Sequence, residues 1–282
     1  RLTLKYSPLD QIVLRANGGR GLRRALPVID NIGVLSTGKA FTGAYSDHLL
    51  EDAWTFGGNA TFYLPFGASD DTYLSFDYFG TRFAEQMVVD YEHGLNAIDF
   101  YALGGKRSYS NNYQVDFNVE AFRRFTVSAT FRYTDAMVEL EGRGLVERPM
   151  TSRYKGVLNL QYATNLNKWI FDFTASVNGK SRVYEFMRGL CGEDGELLYK
   201  DGYTPVYPLL YLQVTKRFKG VDLYLGAENL TNFRQKNLVI GTAIEGVSGH
   251  VDASRPDFDA SAVWGPIMGT KFYLGARFTL WK

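Results

Sequence analysis

The sequence predicts an all-β fold: an antiparallel transmembrane β-barrel to which this chain contributes about eleven strands. Three observations predict it. Apolar and polar residues alternate with a period of two almost from end to end, while helical periodicity is scarce. Connections between the alternating runs are short and long in turn, as tight turns at one end of a barrel and long loops at the other require. Aromatic residues make up 15% of the chain, and several stand beside the short turns, where a barrel carries its interfacial girdle.

Strands are expected near 1–7, 10–17, 52–65, 71–90, 97–120, 124–138, 151–163, 168–179, 206–217, 220–229 and 269–281. The last is the clearest. Phe272, Leu274, Ala276, Phe278 and Leu280 share one face, opposite Tyr273, Gly275, Arg277 and Thr279. In 168–179, Trp169, Phe171, Phe173, Ala175 and Val177 alternate with Ile170, Asp172, Thr174, Ser176 and Asn178. In 124–138, Phe125, Val127, Ala129, Phe131 and Tyr133 alternate with Thr126, Ser128, Thr130, Arg132 and Thr134. The short links are 7–10, 66–70, 121–124, 165–167 and 218–220; the other kind, mostly long, are 18–51, 91–96, 139–150, 180–205 and 230–268. A soluble sandwich also alternates, but its strands run to ~5–6 residues. Several here reach the ~9–11 that cross a bilayer at a tilt. Single-chain bacterial barrels have even strand numbers. About eleven strands, the first opening at Arg1, therefore suggest half of a larger barrel.

Composition narrows the function. Lys+Arg 31 against Asp+Glu 30 leaves a net charge of +1, which argues against nucleic acid as a partner, since neutralising phosphates needs a basic surface. One cysteine, Cys191, forms no internal bridge. No run of ~18 apolar residues marks a transmembrane helix. His48, His93 and His250 are scattered over three loops, without His-Glu-x-x-His or Cys-x-x-Cys spacing, so neither metal nor cofactor is expected. Gly-x-Ser-x-Gly is absent, and no enzyme is expected. Gly18-Gly19-Arg20-Gly21 is glycine-rich but opens no helix, as a phosphate loop would.

Four segments carry a resemblance. Leu14 to Arg23 reads Leu-Arg-Ala-Asn-Gly-Gly-Arg-Gly-Leu-Arg; Leu50-Glu51-Asp52-Ala53-Trp54 opens the next strand; Glu228-Asn229-Leu230-Thr231-Asn232 precedes the last loop; and Tyr273, Gly275, Arg277 and Phe278 mark the closing strand. In this order they resemble the C-terminal half of the barrel of TonB-dependent outer-membrane receptors, particularly Bacteroidetes-type members. The chain departs from the family in ending Trp281-Lys282 rather than on an aromatic residue. It also carries only Leu22-Arg23-Arg24-Ala25 where some members have Phe-Arg-Ala-Pro.

The resemblance implies that residues 1–282 are the last half of a 22-stranded barrel, with a plug domain and first barrel half outside this chain. It implies an outer-membrane location, contact with outer-membrane lipid, and a small-molecule nutrient as ligand: an iron chelate, haem, cobalamin or similar. Import would be driven by the TonB complex through the plug, with a surface lipoprotein as a further candidate partner. Ligand capture would fall to the outer loops, with Tyr45, Asp47 and His48 in one and His250 and Asp252 in another. Arg132, Asp172 and Arg277 would face the lumen and the plug. A SusC-like glycan or oligopeptide importer, or a passive porin, are the alternatives.

Overall fold

The computed structural model describes residues 1–37, 39–92, 97–191, 196–235 and 263–280. Its strands are β1 (Leu2–Leu9), β2 (Ile12–Arg24), β3 (Ala40–Gly43), β4 (Leu50–Tyr63), β5 (Tyr73–Glu85), β6 (Met87–Asp90), β7 (Ala97–Ala102) and β8 (Ser108–Phe122), followed by β9 (Phe125–Leu140), β10 (Gly144–Glu147), β11 (Tyr154–Ala163), β12 (Trp169–Asn178), β13 (Tyr207–Phe218), β14 (Val221–Glu228) and β15 (Lys271–Phe278). One antiparallel sheet runs β1-β2-β4-β5-β8-β9-β11-β12-β13-β14-β15, with β10 folded back on β9. That path has the eleven strands expected of half a 22-stranded wall. It ends at β1 and β15, which do not pair with each other among the described residues.

Register turns the alternation of each strand into two continuous faces. Leu74, Phe117, Ala129, Leu158, Ala175 and Leu210 form one row across six strands. One step along, Tyr73, Asn118, Ser128, Asn159, Thr174 and Tyr211 form a row on the other face. The apolar face is bare. On β15, Phe272, Leu274 and Phe278 are 76%, 79% and 70% exposed, a surface that suits lipid and is costly in water.

The polar face satisfies itself by cross-strand hydrogen bonds. Arg15 donates to Asn59 at 3.0 Å, and Asn59 donates to Ser75 (2.8 Å) and Asp77 (2.7 Å). Thr130 donates to Asp116 at 2.6 Å and Asn159 to Thr174 at 2.8 Å. Arg132 and Asp172 lie on this face: Arg132 donates to Gln114 (2.8 Å), and Asp172 accepts from Gln161 (2.9 Å). Arg277 is in register with Asp222, which accepts from Arg217 at 3.2 Å. Near the short turns the apolar face carries a belt of rings. Phe122 stacks on Phe125 with centroids 4.6 Å apart, and Tyr162, Phe171 and Trp169 continue the belt. Lys216 ends it, its Nζ 4.1 Å from the Trp169 ring.

Four expected elements change, all at the long-loop end. The strand expected at 10–17 continues to Arg24, because the glycine-rich stretch pairs with β4 and Arg20 grips Asp52 through two hydrogen bonds of 2.8 and 2.6 Å. The expected strands 71–90 and 97–120 each divide. Their barrel parts are β5 and β8, while β6 and β7 leave the wall and join β3 in a separate three-stranded sheet. The expected loop 139–150 contains β10, paired with the end of β9.

At the closing hairpin, Tyr224-Leu225-Gly226 on β14 meets Tyr273-Leu274-Gly275 on β15. Each tyrosine stands opposite the other strand's glycine. A Cβ on Gly226 would lie 2.2 Å from Tyr273 Cζ, and one on Gly275 would lie 2.2 Å from Tyr224 Cζ. The rings occupy the space that those missing side chains leave, a common way to rescue a strand glycine.

Two predictions follow from this arrangement. In a Cys191→Ser background, spin labels at Leu158→Cys and Asn159→Cys of the membrane-embedded protein are expected to show opposite accessibilities. Position 158 should be relaxed by oxygen dissolved in lipid and position 159 by a water-soluble nickel complex; equal accessibility would contradict the two-faced wall. Gly226→Val should displace Tyr273 and lower stability to denaturant by about 1–3 kcal/mol, the usual range for overpacking.

Candidate functional site

At the long-loop end the described parts of the connections pack into small cores. Segment 25–49 carries the short helix α1 (Pro27–Asp30) and β3, which pairs in parallel with β7. Ala25, Val34, Met87, Ile98 and Phe100 form a buried core between this segment and the β6–β7 hairpin. A second core, of Val183, Tyr184, Met187 and Tyr199, reaches Trp264 near the end of the 230–268 connection. Trp264 Nε1 donates to the Tyr199 hydroxyl at 2.9 Å, and burial pushes that phenol's pKa up.

Beneath this cap lies a cavity of about 450 Å³. Its floor is the top of the polar wall. Ser108 and Ser110 of β8 and Thr134 and Ala136 of β9 line it, continuing the face of Asn112 and Gln114 by alternation. Its other lining includes Glu51, Asp90, Tyr91, Glu92, Arg148 and Tyr184.

Charge in the cavity wall is paired. Asp90 and Glu92 have side chains only 2% and 1% exposed. Arg143 donates to both oxygens of Asp90 and lies 3.0 Å from Glu92. The Nη1 facing Glu92 makes no hydrogen bond of good geometry, so that contact is ionic. Arg182 donates to Glu92 three times, at 2.9 to 3.1 Å, and the Glu185 backbone N–H adds a bond of 2.7 Å. Burial opposes the charge on Arg143, but the hydrogen bond and charge of Asp90, with Glu92, outweigh it and raise its pKa. Above Glu92, Tyr91 stacks on Tyr184 with centroids 5.3 Å apart. Arg148 differs: its backbone N–H donates to Ala136 at 2.9 Å, and its guanidinium makes no ion pair among the described residues.

Of the five residues expected to capture a ligand, Tyr45, Asp47 and His48 are described. Tyr45 packs edge-on against Phe100 (6.4 Å) and tilted against Phe41 (6.1 Å). The Asp47 backbone N–H donates to Ala44 at 3.0 Å, closing the turn after β3, and the His48 side chain is exposed. None of the three lines the cavity. His250 and Asp252 lie outside the described residues. Among the described residues no three His, Cys, Asp or Glu side chains cluster to hold a metal ion. Asp90, Glu92, Arg143 and Arg182 were not singled out by the sequence. The nearest signal was Asp90-Tyr91-Glu92, two acids at strand spacing where a strand gives way to the 91–96 connection.

No protein-family model matches this chain, and no curated protein matches it. Solved structures match its fold. The ferric enterobactin receptor PfeA of Pseudomonas aeruginosa aligns over 97% of this chain and 39% of its own length, with a TM-score of 0.60 at 13% identity. The ferric-catecholate import receptor Fiu of E. coli K12 aligns over 97% and 34%, with a TM-score of 0.59 at 14% identity. FpvA of P. aeruginosa, solved bound to heterologous pyoverdines, aligns over 82% and 28%, with a TM-score of 0.54 at 11% identity. The chain thus spans well under half the length of these receptors, and at such identities the likeness is one of fold.

Because the cap has a core of its own, it should fail separately from the wall. Phe100→Ala is expected to cost the cap about 3–5 kcal/mol. Limited proteolysis should then cut within 25–49 and 86–107 while the heat-modifiable gel mobility of the barrel persists.

Proposed function

We propose that this chain is the loop-bearing part of the barrel wall of an outer-membrane receptor. The receptor captures a scarce nutrient, an iron chelate first among the candidates, and imports it with TonB-coupled energy. One observation carries the reading: a polar-walled cavity at the loop end, roofed by loops with their own hydrophobic cores. Support for the larger assembly comes from the unpaired edges of β1 and β15 and from the alignment of 97% of the chain with just over a third of an iron-chelate receptor. The rest of such a protein would close the barrel and supply a plug beneath the cavity, with lipid around the apolar face and TonB engaging the plug.

The chemistry asked of the site is recognition. Ser108, Ser110 and Thr134 offer hydroxyl groups, Tyr91 and Tyr184 offer stacking faces, and Arg148 offers a cation to an anionic chelate. In this reading the ligand crosses unaltered, so no chemical step is asked of these residues. A roofed, charge-paired entrance also suits a gated receptor better than an open porin. The motifs resembling Bacteroidetes-type members, Leu14 to Arg23 and Glu228 to Asn232 among them, support that narrower placement.

The test is uptake by whole cells. A strain lacking the full-length gene should lose accumulation of at least one among ferric enterobactin, a ferric hydroxamate, haem and cobalamin, and a TonB-deficient strain should lose the same one. Unchanged uptake of all four would reject iron-chelate, haem and cobalamin import, and move the reading to glycans.

A further inference from the structure

We propose that Glu92 is a positioning residue that clamps three separate loops over the cavity and thereby sets its shape. The inference rests on the receptor reading for its purpose, but on the geometry alone for its substance. Glu92 stands in the connection after β6. One of its partners, Arg143, lies between β9 and β10; the other, Arg182, lies in the connection after β12, ninety positions further on. The same carboxylate accepts the Glu185 backbone N–H, which fixes the start of the turn carrying Tyr184 and Met187. Asp90 completes the group through Arg143. Two buried carboxylates and two guanidinium groups therefore balance, and the contacts of Glu92 tie the connection after β6 to the other two, which the Met150 N–H to Arg182 carbonyl bond of 2.8 Å already joins to each other.

The wall of the cavity depends on this knot. Asp90, Glu92, Tyr91 and Tyr184 all face it, and the stack of Tyr91 on Tyr184 brings residues from two of the clamped loops together. Removing one member of a buried ion group leaves its partner charged and uncompensated. Removing an opposite pair together leaves no stranded charge. A clamp therefore makes a signed prediction that simple packing does not. Each single substitution should open the cap, and the paired substitution should restore much of it.

The experiment uses the full-length protein in detergent, with Cys191→Ser and a reporter thiol on the cavity floor, Ser110→Cys. Glu92→Gln keeps the shape and the acceptor for the Glu185 N–H while losing the charge. It is expected to raise maleimide labelling of the reporter about tenfold, and to raise amide exchange across 182–190, with heat-modifiable mobility unchanged. Arg182→Met should do the same, and the double variant should label more slowly than either single. If Glu92→Gln does not fold, Arg182→Lys takes its place; it keeps the charge, loses the forked contact and should still raise labelling about threefold. Labelling that stays at the parent rate in the single variants would overturn the clamp, as would singles whose effects multiply in the double. None of this needs a ligand. A parent protein that binds neither ferric enterobactin nor a ferric hydroxamate would count against the proposed iron-chelate ligand and leave the clamp standing, whereas unchanged labelling would do the reverse.

Discussion

Antiparallel pairing of each wall strand with the next is the constraint from which the rest of this structure follows. In hydrocarbon there is no water to satisfy a free N–H or C=O, so a spanning sheet must pair every backbone group within itself. From β1 to β15 the path does this without a crossover in the wall: each strand returns beside its predecessor. That regular register makes the alternation of individual strands into whole faces, and one slipped residue would send Leu158 to the polar side. The same register puts every tight turn at one end and leaves the long connections at the other.

Where the wall ends, a second kind of physics takes over. Above β5, β8 and β9 the backbone can meet water again, and the connections fold as small globular units with buried apolar cores. Their size is a hazard: a few residues around Phe100 or Met187 cannot hold much ordered chain against its entropy. Ionic contacts supply the remaining links. Arg143 and Arg182 meet Asp90 and Glu92 in the buried wall, and outside it Arg153 donates twice to Glu147 at 2.7 Å. Glu147, followed by partial burial that works against it, governs the Arg153 guanidinium and holds its pKa above the ordinary range. Such pairs specify which loop packs against which more than they add net stability.

The wall was legible from sequence because its signal is local. Period-two alternation in 124–138 or 269–281 identifies both the strand and its faces, and Arg132, Asp172 and Arg277 fall on the polar side as their spacing requires. The cap was not legible because its signal is distant. β6 and β7 read as continuations of β5 and β8, since nothing in Met87-Val88-Val89-Asp90 says which sheet will receive it. The cavity-lining carboxylates pair with arginines roughly fifty and ninety positions away, a separation no spacing rule reaches. His48 drew notice by residue type and is exposed, outside the lining of this cavity, which mixes serines, tyrosines and charged groups with apolar residues such as Met87, Val88 and Leu140.

We propose a barrel wall whose lumen is closed by other parts of a longer protein and whose loop end holds a roofed binding cavity. Conductance of the purified full-length protein in a planar bilayer tests it most directly. Insertion without a steady open current is expected, because a plugged lumen would block ions and the cap would cover the entrance. A stable ohmic current at low voltage, passing small ions without gating, would contradict it and make the protein a porin.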